Sequence, residues 1–388
     1  LLKICNVSFS TRVNIKLILF FVFERRFKRA FCYGLNFIQS PYKIETSIGI
    51  TMKKSTLALC LSAVLLHGCG GDSSSTELST PSFSLSVSDA PVENAVTVVA
   101  CFSQIELKSS SSANEKTFLI GDTAGSASAN DLCTNSNDEI IANTRGVDLL
   151  SFTGSDSTPL LNNIEINPGD YNQIRLVMSP LSYATVDMNN DGIEDDNDQD
   201  GNADRIPIRV PSNELKLDGF TATLGGVIDL TIEFDLRKGM TNPVGQEGYI
   251  LKPRGVRIVD NTESGHIEGM VSEELLMTNS CEVVPEDLSE LVASVYVYSG
   301  VDLDSAQLAD NGGSESIEPL TSAPVFYDGA SSYNFQIGFV RTGDYTLALT
   351  CSSDADPEGD DDVDFFAVTE VSVGEDGATT EVSFVVAQ

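Results

Sequence analysis

From residue 83 to the end, apolar and polar residues alternate in short runs, and this period of two constrains the chain more than any other feature. Phe83-Ser84-Leu85-Ser86-Val87-Ser88 alternates, as do Gln173 to Met178, Asp229 to Leu236 and Ala293 to Tyr298. Successive side chains of an extended strand leave opposite faces, so each run buries one face and wets the other. Turn residues punctuate the runs: Pro168-Gly169-Asp170, Gly225-Gly226, Asn242-Pro243 and Thr342-Gly343-Asp344. Tyr333 to Val340, Tyr345 to Thr350 and Thr380 to Val386 continue the pattern, and no stretch carries a long helical period. Many short strands between regular turns predict an all-β fold of antiparallel β-sandwiches. Tyr and Phe in such strands are expected in the core rather than as ligand platforms.

The N-terminal region obeys a different logic. Residues 1–51 hold no Met, a short apolar run from Leu17 to Phe23 and the basic patch Glu24 to Arg29. The run is far below the roughly 20 apolar residues that span a bilayer, and 1–51 is expected to be translation from upstream of a true start at Met52, with a basic membrane-surface segment as the alternative. Met52-Lys53-Lys54 then forms a positive n-region and Ser55 to Leu66 an apolar h-region, the layout of an export signal. Leu66-His67-Gly68-Cys69 resembles the lipobox of bacterial lipoproteins, although His67 replaces the usual small or apolar residue. The resemblance implies cleavage before Cys69 and lipid on its thiol and new amine, and several acyl chains anchor a protein stably. Gly70-Gly71-Asp72-Ser73-Ser74-Ser75-Thr76 follows as flexible tether. No Asp stands directly after Cys69, which by the same resemblance favours the outer membrane, on a face the sequence does not name.

Before Cys69 lie 10 of the 23 Lys and Arg but only 2 of the 57 Asp and Glu, leaving 13 basic and 55 acidic residues from Cys69 onward, a charge near −42. Nucleic acid is repelled by such a surface and cations are drawn to it; solubility in a salty medium also accounts for much of the charge. Of the eight cysteines, Cys5, Cys32 and Cys60 precede the cleavage point and Cys69 takes lipid. Cys101, Cys133, Cys281 and Cys351 remain, and an even number in an oxidising compartment suggests disulfides. Pairing within each predicted domain gives Cys101–Cys133 and Cys281–Cys351. His67 and His266 are the two histidines and Trp is absent. A mature chain with one His cannot build a two-His zinc site, and no G-x-S-x-G, P-loop or H-E-x-x-H occurs. No catalytic residue is assigned, and a non-enzyme is expected.

The domain reading is therefore 1–51 upstream translation, 52–68 signal, 69–82 tether, 83–262 a first sandwich and 263–388 a second. Residues 83 to 260 resemble a bacterial lipoprotein domain family of unknown function, through Val87-Ser88-Asp89-Ala90-Pro91, Ile105-Glu106-Leu107, Val147-Asp148-Leu149-Leu150, Pro168-Gly169-Asp170-Tyr171, Phe234-Asp235-Leu236-Arg237 and Leu251-Lys252-Pro253. From Gly265, a G-x-I-x-G-x-V run and Gly343-Asp344-Tyr345-Thr346-Leu347 resemble the carboxypeptidase-regulatory or prealbumin-like sandwich. These resemblances imply two Ig-like or prealbumin-like folds and an envelope location, without naming an activity.

One insertion, 187–204, carries chemistry. Asp187-Met188-Asn189-Asn190-Asp191-Gly192-Ile193-Glu194-Asp195 is followed at once by Asp196-Asn197-Asp198-Gln199-Asp200-Gly201-Asn202-Ala203-Asp204. Both obey D-x-[DN]-x-D-G-x-x-D. Calcium takes six to eight oxygens at about 2.3–2.6 Å, and a chain curling around it presents side chains at positions 1, 3 and 5, turns at a Gly at 6, offers a carbonyl at 7 and closes at 9. The first loop would use Asp187, Asn189, Asp191, the Ile193 carbonyl and Asp195, with Asp198 shared. The second would use Asp196, Asp198, Asp200, the Asn202 carbonyl and Asp204. The pattern resembles EF-hand-like and thrombospondin type 3 calcium loops, without flanking helices; the alternative is an ion-free acidic hairpin loop. The run Asp354 to Asp364 lacks the spacing and reads as a solvated loop.

Together these readings predict a lipid-anchored, non-enzymatic cell-envelope module with a calcium-stabilised loop, held to the membrane by its lipid and facing an envelope protein or glycan. An accessory lipoprotein that binds a polysaccharide for uptake is the alternative, and a hydrolase using paired carboxylates a more distant one.

Overall fold

A computed structural model describes residues 80–90, 95–135, 137, 139–187, 194–197, 203–243, 245–285, 288, 290–352 and 363–386. In the first block the strands are β1 (Ser82–Ala90), β2 (Ala95–Lys108), β3 (Lys116–Leu119), β4 (Arg145–Asp148), β5 (Thr158–Glu165), β6 (Gly169–Met178), β7 (Tyr183–Val186), β8 (Ile206–Arg209), β9 (Glu214–Ala222), β10 (Val227–Asp235), β11 (Met240–Thr241), β12 (Tyr249–Leu251) and β13 (Val256–Asp260). The second block holds β14 (Ser264–Val271), β15 (Leu291–Ser299), β16 (Thr321–Tyr327), β17 (Tyr333–Arg341), β18 (Gly343–Thr350), β19 (Ala367–Val373) and β20 (Thr379–Phe384). Among the described residues, two short helices, α1 (Leu236–Gly239) and α2 (Glu273–Thr278), complete the regular structure apart from 3-10 turns. The all-β reading holds.

Strand β2 organises the first block. Its fourteen residues pair with β7 and β4 in the first half and with β6 and β3 in the second. Register shifts at Ala95/Thr97 and Phe102/Gln104 let one strand serve both sets, as bulges do. This sheet packs on a four-stranded one, β13-β10-β1-β5, and between them lie Phe83, Leu85, Val87, Phe102, Ile105 and Leu107, all fully buried. Each such side chain stabilises the fold by about 1.5–3 kcal/mol. The alternation in Phe83 to Ser88 is thus the register of a core face.

The second block is one seven-stranded sheet, β19-β18-β15-β16-β17-β14-β20. Its end strands β19 and β20 follow one another in the chain, and Thr380 Oγ1 donates to the Ser372 carbonyl at 3.2 Å across them. The sheet therefore curls around its own core of Ile267, Val295, Val297, Phe335, Leu347 and Leu349. Gly265 to Met270, which the sequence presents as a joint, is most of strand β14.

Both blocks depart from strict antiparallel order in the same way. The first strand lies parallel to a late one: β1 beside β10, with Phe83 opposite Ile228, and β14 beside β20, with Ile267 opposite Thr380. Parallel neighbours need long connections, so this pairing joins strands far apart in each block rather than adjacent hairpins. A third parallel pair links β12 and β8.

The disulfides are Cys101–Cys133 and Cys281–Cys351, with Cα separations of 6.0 and 5.3 Å. The first ties β2 to the long β3–β4 connection and the second ties the end of β18 to the residues after α2. They close 32 and 70 residues of chain. Loop-closure entropy then predicts a loss of about 3–4 kcal/mol for Cys101→Ala with Cys133→Ala and about 4 kcal/mol for Cys281→Ala with Cys351→Ala. Denaturant unfolding of the two double variants checks both; an unchanged midpoint would contradict the assignment of these bonds as structural.

Candidate functional site

The acidic insertion is the connection between β7 and β8, whose pairing sets Tyr183 opposite Pro207 and Ala184 opposite Ile206. Of the ten positions named as ligands, Asp187, Asp195, Asp196 and Asp204 are described, whereas Asn189, Asp191, Ile193, Asp198, Asp200 and Asn202 lie outside the described residues. The described ones show a structural repeat. The Asp195 N–H donates to the Val186 carbonyl at 2.9 Å, and the Asp204 N–H to the Asp195 carbonyl at 2.8 Å. Each bond spans nine residues, so each nonapeptide leaves and returns to one place. Asn197 donates both its backbone N–H and its Nδ2 to Asp204 Oδ2, each at 2.9 Å, drawing the last carboxylate of the second repeat over its start.

Around this neck the fold is held by side chains. Thr185 Oγ1 donates to Glu194 Oε1 at 2.6 Å, and the Arg205 guanidinium lies 4.4 Å from the Tyr183 ring centre. Among the described residues no three His, Cys, Asp or Glu side chains converge as a metal site. The donor chemistry of the repeat, carboxylate and amide oxygen throughout, fits a hard cation such as calcium. Cys69, its lipobox and the tether up to residue 79 lie outside the described residues.

A second polar cluster went unread in the sequence. Ser88, Asp89, Glu233, Asp235 and Arg237 are buried where the first block meets the second. Asp235 Oδ1 accepts from the Lys238 N–H at the start of α1, and Oδ2 accepts from Thr321 Oγ1 at 2.7 Å. Arg237 Nη1 donates to Ser294 Oγ at 2.9 Å, Lys238 Nζ to the Pro319 carbonyl at 2.8 Å, and Arg257 Nη2 to the Gly338 carbonyl at 3.1 Å. All but the Lys238 N–H to Asp235 bond cross between blocks. Alternation along Asp229 to Leu236 suggests that Glu233 and Asp235 face water; the second block covers that face instead.

Residues 80–253 match the family model described as Domain of unknown function (DUF4382). This agrees with the resemblance to a domain family of unknown function. No curated protein matches the chain. Among solved structures, the chain is similar to a Bacteroides fragilis protein provisionally described as a cell adhesion protein, at 11% identity, covering 77% of this chain and 82% of that one, with a TM-score of 0.16. It is also similar to a Bacteroides ovatus protein provisionally described as an adhesin, at 9% identity, 70% and 72% coverage and a TM-score of 0.14. The major pilin of Streptococcus pyogenes gives 9% identity, 79% and 100% coverage and a TM-score of 0.13. Scores of this size carry no argument about function.

Within residues 80–253, Asp89 and Glu233 are both buried. Neither oxygen of either group has a hydrogen-bond partner among the described residues. Burial pushes Asp89 well above the usual carboxylate range, and the charges of Glu233, Asp235 and Asp148 push the same way. Glu233 is raised by burial to about 8, against the pull of Arg257, whose Nη2 stands 3.7 Å away, and with a further push from Asp235. In the fold Glu233 therefore keeps its proton at neutral pH. The unfolded chain releases that proton near 4.5, so stability contributed by this group is complete below that value and is lost as pH rises to about 8. Glu233→Gln mimics the protonated form. It is expected to unfold at a higher temperature than the parent at pH 8, with a gain on the order of a few kcal/mol, and to match it near pH 4. Thermal melts across that range decide the matter; a variant that loses stability at pH 8 would mean that ionised Glu233 is what the fold holds.

Proposed function

We propose that this protein is a lipid-anchored, non-enzymatic module of the bacterial cell envelope, whose first sandwich carries a calcium-stabilised double loop. Its partner is an envelope protein or glycan, and its second sandwich is a carboxypeptidase-regulatory or prealbumin-like module. The observation that carries the calcium reading is the coincidence of two repeats. The nine-residue ligand spacing of 187–195 and 196–204 recurs as two nine-residue hydrogen-bonded closures, Val186 to Asp195 and Asp195 to Asp204. Side chains at positions 1, 3, 5 and 9 of such closed loops supply the oxygens, and the ion offsets repulsion that the carboxylates would otherwise exert on one another.

The anchor rests on Leu66-Gly68-Cys69 behind a charged and apolar signal. The non-enzymatic reading rests on side-chain supply. His266, the histidine that follows the signal, is buried, its Nδ1 accepts from the Phe339 N–H at 3.2 Å, and burial holds it below its usual range. It is committed to packing and is not placed as a general base.

Two measurements test the proposal. Millimolar Ca²⁺ is expected to raise the melting temperature, since a ligand present at about 100 times its dissociation constant adds roughly 2.7 kcal/mol to a folded state. Asp191→Ala with Asp200→Ala is expected to abolish that rise while leaving the calcium-free melt in place; an equal rise in the double variant would refute the loop assignment. In producing cells the parent chain is expected in the detergent phase of a membrane extraction and Cys69→Ala in the aqueous phase. Equal partition of the two would remove the lipid anchor from the reading.

A further inference from the structure

A cleft of about 390 Å³ opens where the two blocks meet, and the charge of its lining reverses the balance of the chain as a whole. Lys216, Arg257 and Arg341 line it, against a single acidic residue, Asp218. From Cys69 onward the chain has 13 basic and 55 acidic residues, so chance would supply about four acids for each base. The cleft has three bases for one acid. Leu217, Ile258, Leu320, Phe339 and Tyr345 make its apolar walls.

We propose that this cleft binds a small organic anion, a carboxylate or sulfate ester carried on a ring-sized body. The volume lies at the small end of the range for ligand pockets, about 300–1,000 Å³, and the mixture of apolar wall and few charged groups is what such pockets have. Two of the cations are open for a ligand. The Arg341 guanidinium makes no hydrogen bond or ion pair among the described residues and is exposed. Lys216 is exposed and reaches Glu214 at only 4.0 Å, a contact worth little at a surface. Arg257 is fixed by the Gly338 carbonyl, and its buried Nε has no partner among the described residues. The carboxyl beneath it, Glu233, is held protonated by burial, so the guanidinium charge is not cancelled from below.

The backbone around the cleft is arranged rather than incidental. Opposite His266 on β14, β17 carries two residues, Gly338 and Phe339, which makes a bulge between the pairs Gly265–Val340 and Ile267–Ile337. Phe339 sits at φ 48°, a left-handed conformation that costs a residue with a side chain about 1–2 kcal/mol. Its N–H is held by His266 Nδ1 and its ring meets the imidazole edge-on, with centres 4.9 Å apart. Bulges re-aim the side chains that follow them, here Arg341 two residues on. The other wall is formed by β9 and β13, each the outermost strand of its sheet. The inference gives the binding module proposed above a ligand class, and it depends on neither calcium nor lipid.

The anion has two sources, a free acid or one unit of an acidic glycan. Calorimetric titration of the full chain with galacturonate, galactose sulfate, tetragalacturonate and neutral galactose separates them. At least one charged sugar is expected to bind, with affinity falling as salt rises. Lys216→Gln with Arg341→Gln, both at exposed positions, is expected to weaken it by about tenfold or more while leaving the melt and the Ca²⁺ response unchanged. A gain with chain length assigns a glycan, and equal monomer and oligomer affinity a free acid. Equal binding of galactose, undiminished binding by the double variant, or no binding of any charged sugar at millimolar concentration would overturn the proposal and leave the calcium and anchor readings standing.

Discussion

The carboxylate of Asp235 holds the two blocks in one relation. It ends β10, caps the turn of α1 with one oxygen and takes the Thr321 hydroxyl of the second block with the other. Removing a carboxylate from water costs several kcal/mol, which hydrogen bonds of good geometry only offset. The net gain of such a contact is small, but its directional demand is not. An apolar interface tolerates sliding, whereas a buried acid tolerates only the placements that satisfy it. Arg237, Lys238 and Arg257 impose the same demand from neighbouring positions, each on a different partner in the second block. Four fixed bonds of different direction leave no free rotation between blocks.

Close backbone approach follows from that fixed relation. A Cβ on Gly338 would lie 1.8 Å from the Gly154 carbonyl oxygen, so this position of β17 admits no side chain while the blocks stay as they are. Gly154 itself has φ 61° and faces Gln336. The bulge at Gly338 and Phe339 thus sits at a contact where the chain must be bare, and the displaced residue turns its ring onto His266 instead. Packing at the joint and the left-handed Phe339 are consequences of one steric demand.

Much of the fold was legible because it depends on a local rule. A strand with one buried face must alternate, as Phe83 to Ser86 does, whereas Ala293 to Tyr298 alternates in sequence but is buried on both faces, Val295 and Val297 in one cluster and Tyr296 and Tyr298 in another. Disulfide pairing was legible for a related reason, since chain proximity within a block limits which cysteines meet. Parallel closure of β1 on β10 was not, because a parallel pair leaves no hairpin turn between its strands. Nor was the joint. Asp229 to Leu236 alternates as a half-wet strand does, and only the second block's position, set by contacts about 60 to 90 residues away in the chain such as Arg237–Ser294 and Asp235–Thr321, makes Glu233 and Asp235 interior. The signal available was the density of charge in Phe234-Asp235-Leu236-Arg237-Lys238, unusual for the end of a core strand. The acidic repeat was legible as a nine-residue period, since its spacing is local, and the two nine-residue closures follow that period.

Charge distribution ties these features together. Two blocks that share 53 acids and 13 bases repel one another across any seam they form. Five of those bases, Arg237, Lys238, Lys252, Arg254 and Arg257, fall within twenty-one consecutive residues, and Arg237, Lys238 and Arg257 among them bond across that seam. Arg254 Nε donates back to the Lys238 carbonyl at 2.9 Å, so the cluster is braced internally as well as across the joint. Positive charge is concentrated where the blocks would otherwise part, and protonation of Glu233 keeps that concentration from being cancelled. The 187–204 loop is the opposite case, an acidic concentration with no bases among its residues. The chain thus meets its seam with bases of its own and leaves this one loop wholly acidic.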